Sequence, residues 1–511
     1  MFFDSEVHLI SFSVNCIEII QGRKIFCGIL PFPLNLGYFW SMIKHQKAIF
    51  LLILHLIASV LTLLYFNGTG DSGDSVLHYL FAKYAPTHPE LYFNHWAKPL
   101  FVLLASPFSQ IGFIGVKIMN VLLVQLTLFF TYRMSQELKI QRPEMSQLLL
   151  IFSPLYFILT FSGLTEPLFA FLLILSAFLY IKEYQFWSLL IISFLPFVRS
   201  EGLFFLGIFG FLEVYQFRFK NLLVLAIGTV VYSIAGYFAH GDLLWTLTKI
   251  PYGKLSSTYG SGTALHFVEQ LLYVTGIPFY ILFWVGSLKL TIDMLQKRFA
   301  FNLWILLIGS VFSFILAHSI FWYYGIFNSM GLKRVLICIL PFAAILATYG
   351  FNFLVDSLSK RALWVGRSLA ILFILYVVIF PFTSNPAAIN FKKDLSLHPD
   401  QVNAKKVANY IQHEIPHERI ITGFPYFCEL LNYDCFDPKQ KQAIDQEHID
   451  YASKGDLIIW DDWFAVVEHG ISLESLENNP KLEEVFRSEL DDQSGKPSVI
   501  VVFQMAEKID L

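Results

Sequence analysis

The sequence predicts a polytopic α-helical membrane protein with a small C-terminal extracytoplasmic α/β domain. Three observations carry this reading. Of 511 residues, 56% are hydrophobic and only 15% are charged, a balance outside that of ordinary soluble domains. Apolar runs near the ~20-residue length of a bilayer crossing recur between residues 48 and 385. Beyond residue 385 the character changes: acidic residues accumulate, and short apolar runs alternate with polar, helix-like stretches. The net charge of −3 says little about partners, and no basic tract points to nucleic acid.

Residues 1–41 mix polar and apolar side chains without a clean span. Met42-Ile43-Lys44-His45-Gln46-Lys47 then supplies a positive flank before the apolar 48–66, the pattern of a signal anchor. Met42 is therefore read as the natural start and 1–41 as an extension; a short amphipathic segment is the alternative. Spans follow at 112–132, 147–162, 166–181, 186–198, 202–217, 221–239, 267–288, 300–323, 335–354 and 367–385, giving about eleven transmembrane helices in all. The members at 147–217 are short and closely joined, which suits tilted or partly re-entrant segments. Residues 99–111, bracketed by Pro99 and Pro107, are apolar but too short to span and read as an interfacial or re-entrant helix. The chain thus divides into a transmembrane region, 42–385, and a soluble region, 386–511.

Loop charge sets the orientation. One set of loops carries Lys44, Lys47, Arg133, Lys139, Arg142, Lys182, Arg218, Lys220, Lys289, Lys297, Arg298, Lys360, Arg361 and Arg367; the other is poorer in cations. The richer set is cytoplasmic by the positive-inside rule, which places the N-terminus inside. An odd number of spans then puts residues 386–511 outside, on the side of the 71–98 loop. In that C-terminal region 399–413 reads as an amphipathic helix, and Ile420-Ile421, Leu457–Trp460 and Val499–Phe503 as buried strands. Asp461-Asp462 ends a strand and reads as an exposed loop pair, with a site as the alternative. Cys338 falls in an apolar span, whereas Cys428 and Cys435 either pair or stay free.

The chemistry concentrates in one loop. Asp71-Ser72-Gly73-Asp74 directly follows the first span, and carboxylates gathered at a membrane face need a reason. A glycosyl transfer supplies one, because a carboxylate suffices to take the proton of an attacking hydroxyl. Asp74 leads and Asp71 is the second candidate; for either, capping of a juxtamembrane helix is the plain alternative. Lys98 and His95 stand at headgroup depth, where cations hold a lipid phosphate, although a lysine there also snorkels without a ligand. His78, His88 and His95 with Asp74 match no ligand spacing, so no metal and no other cofactor is indicated. Arg199 and Glu201 lie between two apolar runs, where ionisable groups are paired or functional. Glu166 opens a helix as Leu164-Thr165-Glu166-Pro167 and is equally suited to a structural role. Lys333-Arg334 sit at the start of a span against the helix dipole, a cost that hints at an anionic ligand. The long loop 240–266 offers Tyr252, Tyr259 and several glycines to a sugar or pyrophosphate, or is a plain connector.

With these residues the chain resembles the GT-C superfamily of polytopic glycosyltransferases, in a mannosyltransferase-like form. The resemblance rests on Gly73-Asp74-Ser75 with His78-Tyr79, Lys98-Pro99-Leu100, Leu164-Thr165-Glu166-Pro167-Leu168, Arg199-Ser200-Glu201-Gly202, and Lys333-Arg334 before Leu340-Pro341-Phe342. It covers roughly residues 42–385. It implies an inverting transfer from a polyprenyl-phosphate-linked sugar donor to a lipid, glycan or protein acceptor among the membrane lipids. Asp74 is then the base, and the basic residues hold the donor phosphate. The resemblance has a bacterial look, implying the plasma membrane with a periplasmic active face. The family's first acidic motif often has adjacent acids, whereas Ser72-Gly73 separates the two here, so the choice between Asp71 and Asp74 stays open. A transporter or flippase of lipid-linked glycans is the competing reading. Transporters favour midplane charges and inverted repeats, and this chain shows neither.

Overall fold

The structure, a computed structural model, describes residues 45–251, 259–417, 419–491 and 497–506. The expected extension 1–41 with its start at Met42, and Tyr252, lie outside the described residues. In chain order the membrane helices are α1 (Gln46–Tyr65), α2 (Asp74–Tyr84), α3 (Pro99–Ser109), α4 (Phe113–Glu137), α5 (Glu144–Ile151), α6 (Pro154–Leu159), α7 (Glu166–Ile181), α8 (Gln185–Phe194), α9 (Gly202–Tyr215) and α10 (Ile227–His240). They continue with α11 (His266–Thr275), α12 (Ile277–Leu295), α13 (Ser310–Tyr324), α14 (Leu340–Ser359) and α15 (Leu363–Ile379).

Among the described residues, seven helical segments are long and apolar enough to cross a membrane: Gln46–Tyr65, Phe113–Glu137, Phe219–His240, Ile277–Leu295, Phe301–Tyr324, Lys333–Ser359 and Leu363–Phe382. The protein is a multi-pass membrane protein. Of the about eleven spans expected, the members at 147–217, expected to be short and closely joined, are short. The segment 147–162 is two short helices, α5 and α6, broken ahead of Pro154, while α7, α8 and α9 are shorter than a full crossing. Their joins are the buried turn at 160–165 and, at 195–201, a short 3₁₀ helix followed by a half-buried turn; such backbone is tolerated among membrane helices where it is buried in protein or lines a cavity. The expected 267–288 helix is likewise two, parted at Gly276.

The segment Lys333–Ser359 forms the centre, with 94% of its apolar window buried. It packs on α12 backbone to backbone. A Cβ on Gly286 would lie 1.8 Å from the Leu346 carbonyl oxygen, and one on Gly350 would lie 2.3 Å from that of Leu282. Small residues at such a crossing let two membrane helices gain dispersion contacts that larger side chains would prevent. At one end of the bundle the loops are tied by Lys47–Glu144, Lys182–Glu137 and Arg142–Asp356 ion pairs. The acidic loop and the breaks at 160–165 and 195–201 meet at the other end.

The C-terminal region adds α16 (Pro399–Glu414), β1 (Ile420–Thr422), α17 (Tyr426–Leu431), β2 (Lys441–Gln442), β3 (Leu457–Asp461), β4 (Leu482–Leu490) and β5 (Ser498–Met505). The strands form one five-stranded sheet, ordered β2-β1-β3-β5-β4. β1 runs parallel to β2 and β3, and β5 runs antiparallel to β3 and β4. Strand β4 escapes a pattern search because it is a charged edge strand, Leu-Glu-Glu-Val-Phe-Arg-Ser-Glu-Leu, mostly outside the core. Asp461 is not the exposed loop residue expected: it is 4% exposed, and its Oδ1 accepts from the backbone N–H groups of Trp463 and Phe464 at 3.0 and 2.5 Å.

This sheet unit packs on the acidic-loop end of the bundle. Cys428 and Cys435 are joined by a disulfide, and the loop they close grips α2. Glu429 accepts from Tyr79 Oη at 3.0 Å and pairs with Lys83 at 2.8 Å. His88 Nε2 lies 2.8 Å from Asp434 Oδ2, and the Phe436 ring packs on Phe81 at 4.7 Å between centroids. Replacing both cysteines by serine relaxes this loop, and for its short span the chain-entropy cost is about 2–3 kcal/mol. The expected outcome is a lower unfolding temperature for the C-terminal region, read by proteolysis across a temperature series. An unchanged profile would show that the contacts alone hold the loop.

Candidate active site

The site is built from the acidic loop and the two irregular joins. Gly70 adopts φ +86°, and a Cβ there would lie 2.5 Å from Ser162 Cβ; one on Gly163 would lie 2.3 Å from the Ser75 carbonyl oxygen. Only glycine lets the loop and the join approach so closely. Ser75 Oγ locks them, donating to Thr69 O at 2.5 Å and accepting from Gly163 N–H at 2.6 Å. Glu166 is thereby set beneath the loop, fully buried.

The two aspartates have different tasks. Asp71 Oδ1 accepts from the N–H groups of Gly73 and Ser75 at 3.1 and 2.9 Å, capping the start of α2, while its Oδ2 pairs with Arg334. Asp74 is the first residue of α2 and also pairs with Arg334 through Oδ2, but its side chain is 43% exposed, against 28% for Asp71. Asp74 lines the adjoining cavity. Burial pushes the Asp71 carboxyl above the usual carboxylate range, against the pull of Arg334. For Asp74 burial also acts upward, yet Arg334 and the other positive neighbours, Arg199 among them, together hold this carboxyl below its ordinary value. Asp74 is therefore the more accessible member of the pair and the one whose charged form its surroundings favour.

The buried cations complete an ionic lattice. Arg334 Nε lies 3.4 Å from Glu166 Oε1. Arg199 Nη1 lies 2.8 Å from the same oxygen, off the hydrogen-bonding axis, and donates to Thr165 Oγ1 at 3.1 Å. Arg199 also grips Glu201 Oε1 through Nε and Nη2, at 3.2 and 2.8 Å. Burial acts upward on the Glu201 carboxyl, but Arg199 overrides it and holds the group at about 2. Lys98, 7% exposed, donates to Ser200 Oγ at 3.1 Å, and burial draws its ammonium down to about 8. Its backbone stands at φ 69°, a strained conformation for a lysine that the surrounding packing must enforce. A cavity of about 780 Å³ opens over these groups, lined among others by Asp74, His78, Lys98, Arg199, Glu201 and Arg334.

Its geometry can be set beside solved structures. ArnT from Cupriavidus metallidurans bound to undecaprenyl phosphate superposes with a TM-score of 0.61 over 90% of this chain and 98% of its own, at 10% identity. The apo form of that protein gives 0.61 over 92% and 98%, at 9% identity. The archaeal oligosaccharyltransferase AglB from Archaeoglobus fulgidus, in complex with an inhibitory peptide and a dolichol-phosphate, gives 0.50 over 73% of this chain and 59% of its own, at 13% identity. The chain has the GT-C fold. No protein-family model and no curated sequence matches it.

Within this GT-C fold the expected site residues separate into groups. Asp74, His78, Lys98, Arg199, Glu201 and Arg334 share the cavity. Asp71 and Glu166 brace it from behind, as partners of Arg334. His95 points elsewhere, with Nε2 3.2 Å from the Thr246 carbonyl oxygen and its ring edge-on to Trp245. Lys333 is exposed and lies over the Tyr273 ring at 5.8 Å, because adjacent residues of a helical turn diverge and only Arg334 turns inward. The anions that face Arg334 at this helix start are the protein's own carboxylates. The sequence reading passed over His318, which lines the cavity with Nε2 3.8 Å from Glu201; a histidine inside an apolar span was its available signal. Among the described residues no group of three or more His, Cys, Asp or Glu side chains is placed to hold a metal.

The Glu201 pairing has a pH signature. Its carboxyl is held at about 2, below its ordinary 4.5, so its stabilisation is complete above that ordinary value and is lost as pH falls towards the folded one. The difference amounts to about 3 kcal/mol. The expected outcome is that unfolding temperature drops on acidification through this window less steeply in Glu201→Gln than in the wild type. Parallel curves would count against the pairing.

Proposed function

We propose that the protein is an inverting glycosyltransferase that moves a sugar from a polyprenyl-phosphate donor to a lipid, glycan or protein hydroxyl, at the extracytoplasmic face of a bacterial plasma membrane. The carrying observation is that Asp74, an accessible carboxylate whose charged form its surroundings favour, lines one cavity with Lys98, Arg199 and Arg334. The GT-C fold supports the reading, since ArnT has that fold and is seen with undecaprenyl phosphate.

The acceptor oxygen attacks the anomeric carbon as the bond from that carbon to the phosphate oxygen breaks. Asp74 takes the acceptor proton, and the electron pair leaves with the polyprenyl phosphate. Arg199, Arg334 and Lys98 stabilise the charge that gathers on the departing phosphate. Asp71 and Glu166 position the guanidiniums and the start of α2 and do not touch substrate. The orientation follows from the cation-rich loops tied together at the opposite end of the bundle.

The test is sugar transfer from radiolabelled undecaprenyl-phosphate-linked sugars by purified protein in lipid, comparing wild type, Asp74→Asn and Asp71→Asn. Loss of a general base removes about 10²–10⁴-fold in rate. That loss is expected in Asp74→Asn with donor binding retained, whereas Asp71→Asn falls less. Wild-type turnover in Asp74→Asn would remove the base assignment. Donor moved across the bilayer without transfer would replace the enzyme by a flippase.

A further inference from the structure

Most polar groups around the cavity are already committed. Arg199, Arg334, Asp74 and Glu201 are in ion pairs, Lys98 donates to Ser200, Thr165 accepts from Arg199, and Thr248 donates to Asp242. Two cavity-lining rings differ. His78 and His318 are 7% and 8% exposed, and among the described residues neither ring makes a hydrogen bond. The Nδ1 of His78 and the Nε2 of His318 are buried without a partner, and the 3.8 Å from His318 to Glu201 is beyond hydrogen-bonding reach. Buried polar atoms left unpaired are uncommon and costly, so each asks for an explanation.

Packing holds both rings in place. His78 stacks on Trp96, with centroids 4.8 Å apart and planes 20° apart, and meets Phe101 at 5.4 Å. His318 sits against Phe314 at 4.5 Å and Phe267 at 5.3 Å. Trp96 also lines the cavity. His78 is one helical turn beyond Asp74 on α2, so a group bound at His78 lies beside Asp74.

We infer that His78 and His318, with Trp96 beside them, form the subsite for the uncharged sugar ring of the donor. A neutral imidazole offers one donor and one acceptor, which matches a sugar hydroxyl, and it adds no charge for a phosphate that the guanidiniums already suit. Burial keeps His78 in that neutral state by drawing it down to about 3. The cavity thus divides by charge: cations for phosphate, imidazoles and an aromatic ring for sugar. This assignment rests on the donor class proposed above.

The experiment measures dissociation constants of the full chain in nanodiscs for undecaprenyl phosphate and for undecaprenyl-phosphate-linked glucose, mannose and galactose. His78→Phe and His318→Phe keep a packed ring and remove the hydrogen bonds; His78→Gln and His318→Gln keep a donor and an acceptor if the aromatic variants fail to fold. The wild type is expected to bind one sugar-linked lipid more tightly than the bare lipid. Each Phe variant is expected to lose that preference by roughly five- to tenfold with bare-lipid affinity unchanged, and each Gln variant to regain part of it. Equal weakening of bare and sugar-linked lipid, or an unaltered preference in the variants, overturns the inference. So does a wild type that binds bare lipid and prefers no sugar-linked form, which leaves the lipid-phosphate reading standing. A wild type that binds none of the lipids overturns both.

Discussion

Two guanidiniums share one buried carboxylate, and the end of the bundle is arranged around that fact. Glu166 is fully buried between Arg199 and Arg334. A charge at such a position is tolerable only if paired, and removing one partner of a buried pair typically costs about 3–5 kcal/mol because the other charge is stranded. The partners come from the acidic loop, the join before α7, the join before α9 and the start of the central segment. The lattice therefore fixes where these segments meet. The close approach at Gly70 and Gly163 follows, since Glu166 reaches Arg334 only if the join is pressed against the loop.

The C-terminal unit completes this arrangement from the other side. Helix α2 carries Asp74 at its first residue, and its Tyr79, Lys83 and Phe81 are held by Glu429 of the disulfide-closed loop and by Phe436 just beyond it. Thr69, just before the aspartates, donates to Gln401 of α16 at 3.0 Å, and Gly68 N–H donates to Leu395 O at 2.8 Å. Phe464, beyond β3, lies close enough to Gly73 that a Cβ there would approach its ring to 3.0 Å. The geometry of the acidic loop is thus set as much by the sheet unit as by the membrane helices.

Legibility in the sequence followed the range of the forces involved. Long spans such as Phe113–Glu137 announce themselves because every residue of a crossing must be compatible with lipid or a packed interior. Helices α5 to α9 did not, because apolar runs broken inside the bundle look like runs that cross it. The charged edge of β4 concealed a strand, since edge strands carry charge to avoid pairing with other chains. Within the site, motif order located Asp74, Lys98, Arg199 and Arg334. It did not show that Asp71 caps α2, or that Lys333 and His95 turn away, because Asp71 and His95 sit in non-helical turns where no periodicity fixes the side chain's direction, and Lys333 and Arg334 diverge as neighbours in one helical turn.

The lattice also bears on which aspartate is suited to act. Asp71, Asp74, Glu166 and Glu201 face Arg199, Arg334 and Lys98, so the cations of the site are already answered by the protein's own carboxyl groups. A lipid phosphate entering this cavity must compete with carboxylates already on the guanidiniums. Asp71 is retained by two backbone N–H groups, and Glu166 by Arg199 and its burial. Asp74, among the described residues, has Arg334 as its polar partner and is the more exposed of the two aspartates. Under the proposed reaction, a phosphate that takes Arg334 displaces Asp74 first. Loss of that partner raises the Asp74 carboxylate's proton affinity. Donor binding and activation of the base then become one event, with Asp71 left in place to hold the helix that delivers it.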